Sequence, residues 1–343
     1  MATETTPPSP VTVTRALRAT LGEFQTPQLH RSLGQMATTF IPFFGVIAAM
    51  YALHGISPWI SLALALPAGG LIVRIFIIQH DCGHGAFFRS RAANAWVGRF
   101  CSLFTMTPFA NWRRQHAGHH AVWNDLDRRN GGGDIYSTCL TVEEYRAFSP
   151  LGRWWRRFTR HPLISHLVLP PIVFLIVYRV PFDTPTTWRH ERRSVHLTNL
   201  GLFAMFTLLM LLLGMGRVAL VQIVPVAIAA VIGVWLFAVQ HRFEDAIWSR
   251  HAAWNATDAA LLGSSYLKLP AVLQWFSGNI GFHHIHHLLP GVPNYRLAEC
   301  HRACAALAPG HATLSFWDAV RAPAYVLWDE AAARMVKFSD VAA

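Results

Sequence analysis

Apolar residues in this chain gather into long uncharged blocks instead of alternating with polar ones. Five blocks stand out, at about 36–54, 59–79, 163–179, 196–213 and 217–240. A helix needs about twenty apolar residues to cross the hydrocarbon core of a bilayer, and four of the blocks have about that length. The first two are joined by HGISP and the last two by GMGR. Neither turn has room for a domain, so each pair predicts a membrane-spanning hairpin. Between the hairpins, from about 80 to 160, the chain is polar and rich in arginine, histidine and aromatic residues.

The third block, HPLISHLVLPPIVFLIVY, has a different character. It carries Pro170-Pro171 at its middle, and arginines flank it on both sides: Arg153, Arg156, Arg157 and Arg160 before it, Arg189, Arg192 and Arg193 after it. Arginine-rich loops stay on the cytoplasmic side. A segment whose two ends both belong there cannot cross once and stop, which predicts a re-entrant or interfacial helix. The expected fold is therefore all-α and membrane-integral: about four transmembrane helices in two hairpins, a re-entrant or interfacial helix, and a cytoplasmic helical cap. Residues 1–35 read as a cytoplasmic lead, 36–300 as the membrane domain and 301–343 as a cytoplasmic tail.

Composition agrees with this picture. The chain has 343 residues, 53% of them hydrophobic and only 14% charged, and its mean hydropathy is +0.30. The net charge of +11 comes from arginine, since Lys268 and Lys337 are the only lysines. Those arginines flank apolar blocks, so the charge points to membrane topology and not to nucleic acid. Five cysteines form no CxxC pair, as expected of ordinary thiols in a reducing compartment. The first 25 residues contain no apolar signal-peptide core and read as a disordered lead.

Histidine supplies the chemistry. Nine of the 19 histidines fall in three short clusters: His80 and His84 in HDCGH, His116, His119 and His120 in HAGHH, and His283, His284, His286 and His287 in HHIHH. Residues three or four apart share a helix face, so each cluster can present a claw of nitrogens to a metal ion. No single claw encloses an ion, but three together can surround two. Nine of the other ten, His30, His54, His161, His166, His190, His196, His251, His301 and His311, read as structural. Sites made only of imidazole suit iron, copper, zinc or nickel, and this many ligands exceeds what one ion needs. The last cluster can be taken as HxxHH or as HHxxH, and helical geometry alone does not choose between them.

The segments HDCGHGAFF, HAGHHAVWNDLDRRNGGGDIYS and HHIHHLLPGVPNY resemble the histidine boxes of the integral-membrane fatty acid desaturases. The resemblance covers about residues 36–300 and is nearest the acyl-lipid Δ12/ω-6 type. It implies two iron ions held by His80, His84, His116, His119, His120, His283, His286 and His287, with His284 turned away. It also implies a ninth histidine after the last span, for which His241 in VQHRFEDAIW is the candidate. Asn279, four residues before His283, is a candidate further contact. Asp81, Asp125, Asp127, Asp134, Glu244 and Asp245 are available to orient the imidazoles from behind.

The implied reaction is removal of two hydrogens from adjacent methylenes of an acyl lipid, with O2 as oxidant. Trp112, Trp123, Phe87, Phe88, Trp275 and Phe282 are candidate walls for the chain. The sequence holds no GxGxxG fingerprint, CxxCH or iron–sulfur cysteine spacing. An external one-electron donor, a ferredoxin or a cytochrome, is therefore expected on the cytoplasmic face of a bacterial inner membrane. Two alternatives remain open. One is a lipid or carotenoid hydroxylase or ketolase with similar boxes. The other is a metal transporter, which would carry its ligands mid-span and not at span ends.

Overall fold

A computed structural model describes residues 17, 19–132, 138–307 and 310–341. The first hairpin is α1 (Leu29–His54) and α2 (Pro58–His84). Pro58 opens α2 at its first turn, where a missing N–H costs nothing, and Ser61 ties the hairpin by donating to the Met50 carbonyl at 2.7 Å. α1 begins seven residues before the first apolar block. Its polar first turn leaves the apolar layer, and Arg31 there pairs with Glu299 at 2.8 Å.

After α2 the chain enters the cap through α3 (Arg91–Thr105), α4 (Phe109–Val122) and α5 (Pro150–Arg160). The second hairpin is α7 (Arg189–Leu213) and α8 (Met215–Val239), broken at Gly214 with φ +86°. Before it, α6 (Leu169–Leu175) forms the core of the third apolar block. Among the described residues these four long helices can cross a membrane, and the pair Pro150–Arg160 and Ile164–Arg179 is bent by 51°. Residues Phe203, Leu211 and Leu212 of α7 are 71%, 79% and 69% exposed. Such an apolar surface belongs against lipid.

The bent pair is tied to the rest of the chain at both ends. On α5, Arg157 donates to the Tyr145 hydroxyl of the cap at 2.6 Å. At the other end, Arg179 donates to the Met106 carbonyl and to Asn199 Oδ1. Ile164–Arg179 is also too short to cross, since sixteen residues at 1.5 Å rise span only about 24 Å of a roughly 30 Å core. A bend of this size is that of a broken span or of a re-entrant loop, and the short length and flanking arginines are those expected of the second. α5 itself exposes Trp154, Trp155 and Phe158 between its arginines, the pattern of a helix lying in the bilayer surface.

Two short sheets complete the cap. β1 (Leu140–Thr141) pairs in parallel with β4 (Leu327–Asp329), which pairs antiparallel with β5 (Arg334–Val336). β2 (Ser265–Leu267) pairs in parallel with β3 (Ala312–Leu314). These strands hold residues 310–341 on the cap. The third histidine cluster lies on the six-residue helix α9 (His283–Leu288), followed by α10 (Leu297–Leu307). A turn with positive φ at Gly278 and Asn279 leads into α9. A side chain at Gly278 would meet Ile77 of α2 at 2.8 Å, so only glycine lets this turn lie on the span that carries His80.

Candidate metal centre

Each helix delivers its histidines for a local reason. α2 stops at His84 because Gly85 adopts φ +70° and the Ala86 N–H returns to the Asp81 carbonyl at 2.9 Å, a glycine-dependent helix end. His80 and His84, one turn apart, therefore lie at the cap end of the span, with ring centroids 4.8 Å apart. His116, His119 and His120 occupy the last two turns of α4. His241 stands two residues past the end of α8 and is fully buried.

Nine imidazoles converge in two groups. The first holds His80, His84, His116 and His286, joined by His120, whose Nε2 lies 3.2 Å from His116 Nε2 and 2.9 Å from His286 Nε2. The second holds His119, His241 and His287, joined by His283, whose Nε2 is 2.9 Å from that of His241. The two HxxHH claws are split between the groups. At 100° per residue, positions i+3 and i+4 fall about 60° to one side of residue i and about 40° to the other. Hence i and i+4 stay together while i+3 crosses over. His116 and His120 serve the first group and His119 the second; His283 and His287 serve the second and His286 the first.

This geometry fits metal ions. Nε2 faces Nε2 at 3.0 Å between His80 and His286, at 3.2 Å between His119 and His241, and at 3.3 Å between His119 and His287. Two nitrogens bound to one ion at about 2.0–2.1 Å, as for zinc, stand roughly 2.9–3.4 Å apart. His84 Nε2 is buried with no hydrogen-bond partner, an orphan that an ion would satisfy. Burial, reinforced by neighbouring imidazoles, pushes His116, His120, His241, His283, His286 and His287 well below the usual imidazole range. They stay neutral, the form that binds metal. Among the described residues both groups consist of imidazole alone.

Of the carboxylates named from sequence, Asp81 stands behind the centre. Its Oδ1 lies 3.2 Å from His80 Nδ1, while Oδ2 accepts from the Asn294 backbone N–H at 2.7 Å and side-chain amide at 2.8 Å. Asn294 is the residue that sequence reasoning misses; its role depends on a contact across 213 positions that no local pattern signals. Asp125 instead holds His251 at 2.7 Å, Asp127 pairs with Arg250 at 2.9 Å, and Glu244 accepts from Tyr325 at 2.7 Å. Asp134 lies outside the described residues. The Asn279 side-chain amide donates to the Asn294 carbonyl at 3.2 Å. His284 turns away from both groups, its Nε2 3.0 Å from His301 Nδ1.

A cavity of about 240 Å³ opens onto the imidazoles. His80, His116, His119 and His283 form one wall, and Ile72, Phe76, Val226, Ala229 and Gly233 carry it down between the spans. Near the cap, Gln115 and Asp183 line it and are linked at 3.0 Å. The third apolar block closes one side with Val173, Phe174 and Tyr178, residues that no sequence motif marks. Of the six aromatic residues expected as walls, Trp112 lines the cavity. The others pack elsewhere: Trp123 against His241 at 4.0 Å, Phe87 against Phe88, Trp275 under Arg74, and Phe282 on Tyr266. Hydrophobicity marks all six equally, and only the packing of the helices separates wall from core.

The family model described as "Fatty acid desaturase" matches residues 57–318, most of the chain and all three histidine clusters. The chain belongs to the fatty acid desaturase family. A protein of Bacillus subtilis named "Fatty acid desaturase" is 40% identical over 324 residues, 94% of this chain and 90% of that protein. An "sn-1 oleoyl-lipid 12-desaturase" of Picosynechococcus is 26% identical, covering 74% of this chain and 72% of that protein. An "sn-1 acyl-lipid omega-3 desaturase (ferredoxin)" of Synechocystis is 28% identical, covering 82% and 76%. As a member of this family the chain is an oxidoreductase, integral to the membrane through its four long helices.

Proposed function

We propose that this desaturase inserts a cis double bond into the acyl chain of a membrane lipid, using O2, two iron ions held by the nine imidazoles, and electrons from an external donor. The observation that carries this reading is the apolar cavity running from between the spans to the two histidine groups. When bound, iron supplies reductive O2 chemistry able to take hydrogen from an unactivated methylene, which no side chain can do. The chain's own residues bind, orient and exclude water. Ile72, Phe76, Val226 and Ala229 bury the far end of the acyl chain. Trp112, stacked on His116 at 4.7 Å, confines the reacting methylenes beside the imidazoles. Gln115 and Asp183 leave the polar end of the substrate at the cap. Asp81 holds the orientation of His80. The overall balance is one acyl chain, O2, two electrons and two protons giving one double bond and two waters.

The test is gas chromatography of lipids from a host expressing the protein. A new cis double bond is the expected product. A hydroxylated chain would favour the hydroxylase alternative, and unchanged lipids with iron-loaded protein present would overturn the reading.

Arginine placement supports a cytoplasmic location for the cap in a bacterial inner membrane. Arg113 and Arg114 on α4, and Arg189 and Arg193 on α7, are exposed beside the histidine layer, a cationic face suited to an acidic donor. The name of the Synechocystis relative gives ferredoxin as that protein's donor, which makes the same class of donor reasonable here. Such association is steered by charge and accelerated about 10-fold or more at low salt. Donor-limited turnover is expected to fall as ionic strength rises through about 0.15 M, where the Debye length shrinks to about 8 Å. A flat salt profile would rule out this docking face.

A further inference from the structure

A third group of imidazoles lies outside the two already described. His284 of α9, His301 of α10 and His311 just before β3 place one ring nitrogen each within 4.8 Å of the others. His284 Nε2 and His301 Nδ1 are 3.0 Å apart, the same spacing that separates nitrogens within the first two groups. The rings of His284 and His311 lie parallel, 6° apart with centroids at 4.5 Å, and His301 stands edge-on to both at 89° and 85°. His284 is 1% exposed, while His301 and His311 are half-buried. One hydrogen bond between neutral imidazoles accounts for the His284–His301 pair. It does not account for the third ring, brought in from a separate segment. Nor does it account for a group that, among the described residues, includes no carboxylate.

The geometry points to a third metal site in which His284, His301 and His311 bind one divalent late first-row cation, zinc being the probe, and clip the C-terminal segment onto the third histidine box. Three imidazoles with a position left for water is a set that zinc accepts. Imidazole-only ligation also favours the late divalent ions over the oxygen-seeking magnesium and calcium. The site is independent of the iron proposal, because it shares no residue with the nine imidazoles.

Its consequence follows from the fold. α9 has only six residues and carries His283, His286 and His287, too few turns to be rigid alone. His284 stands about 100° round that helix from His283 and faces away from both groups toward His301, so an ion there would hold α9 from another side. The same ion would fasten α10 and the chain leading into β3, whose pairing with β2 is otherwise three residues long.

The test uses full-length, iron-loaded protein in detergent, equilibrated with Zn2+ and freed of unbound metal. Wild type should retain one zinc ion per chain more than either His301→Gln or His311→Gln, with iron content and activity equal in all three. Co2+ in place of Zn2+ should give a visible absorption in wild type that both variants lose. Zinc should slow amide hydrogen exchange in residues 310–320 at least about 10-fold in wild type and leave the variants unchanged. Equal zinc in wild type and variants, including zinc that merely displaces iron, overturns the site. Because the readout is a difference between chains with the same nine imidazoles, failure of the iron reading would appear separately, as low iron in all three proteins with the zinc difference intact. His311 lies in a half-buried connection, so its variant keeps the experiment decisive should His301→Gln misfold.

Discussion

His286→Ala is expected to remove iron and desaturation together, with the protein still inserted in the membrane. The Nε2 atom of His286 is the hub of the first group, 3.0 Å from that of His80 and 2.9 Å from that of His120. Alanine leaves nothing at that point to complete the shell. Residues that merely stand behind a metal ligand cost about 10–100-fold in affinity or activity when lost, so a residue at the centre should cost at least about 100-fold. His284→Ala is the matched control. It alters the same helix two residues away but neither group, and should keep its iron and measurable activity. Metal analysis with a product assay on both variants decides the matter. If His284→Ala lost iron as completely as His286→Ala at equal protein level, the division of this box would be wrong.

Gly233→Leu is expected to block the long acyl chain while leaving iron in place. Gly233 lines the cavity from α8, and a Cβ built on it meets nothing within 4 Å, so a larger side chain enters the cavity without moving backbone. Leucine is a better helix former than glycine, which lies about 0.8–1 kcal/mol below alanine, and this argues against unfolding as the cause of lost activity. Position 233 stands eight residues before His241, about 12 Å along the helix axis. A leucine there should therefore exclude the distal part of the chain and spare the reacting carbons. kcat/KM for a long-chain lipid should fall about 100-fold, near 2.7 kcal/mol in transition-state binding. A substrate several carbons shorter should lose far less. Equal loss for short and long chains would place the acyl chain elsewhere.

Much of this molecule is legible in its amino-acid sequence. The two hairpins follow from the length of the apolar blocks, and the third block is set apart by its prolines and its arginines on both flanks. The histidine spacing marks the centre because HxxHH has no common structural use, and His241 is recognisable as the first histidine after the last span. The choice within HHIHH is a different matter. Helical periodicity allows two sets of three, and resemblance to the second box selects His283, His286 and His287. In the folded chain these three join the two groups, while His284 faces His301 at 3.0 Å.

What the tertiary structure alone decides are the relations across long separations. The division of each claw between two groups depends on where the partner helices stand, which no single helix encodes. The service of Asp81 to His80, with Asn294 behind it, joins positions 213 residues apart. The cavity walls are chosen by packing, since Phe76, Phe174 and Tyr178 carry the same hydrophobic signal as the core aromatics around them. The third histidine group is hidden from sequence for the same reason: His301 and His311 are single histidines in ordinary surroundings until β3 pairs with β2 and carries His311 to His284. Local spacing determines which residues share a face, because helical periodicity is a property of a few consecutive residues. Which faces meet is set by the packing of the whole chain.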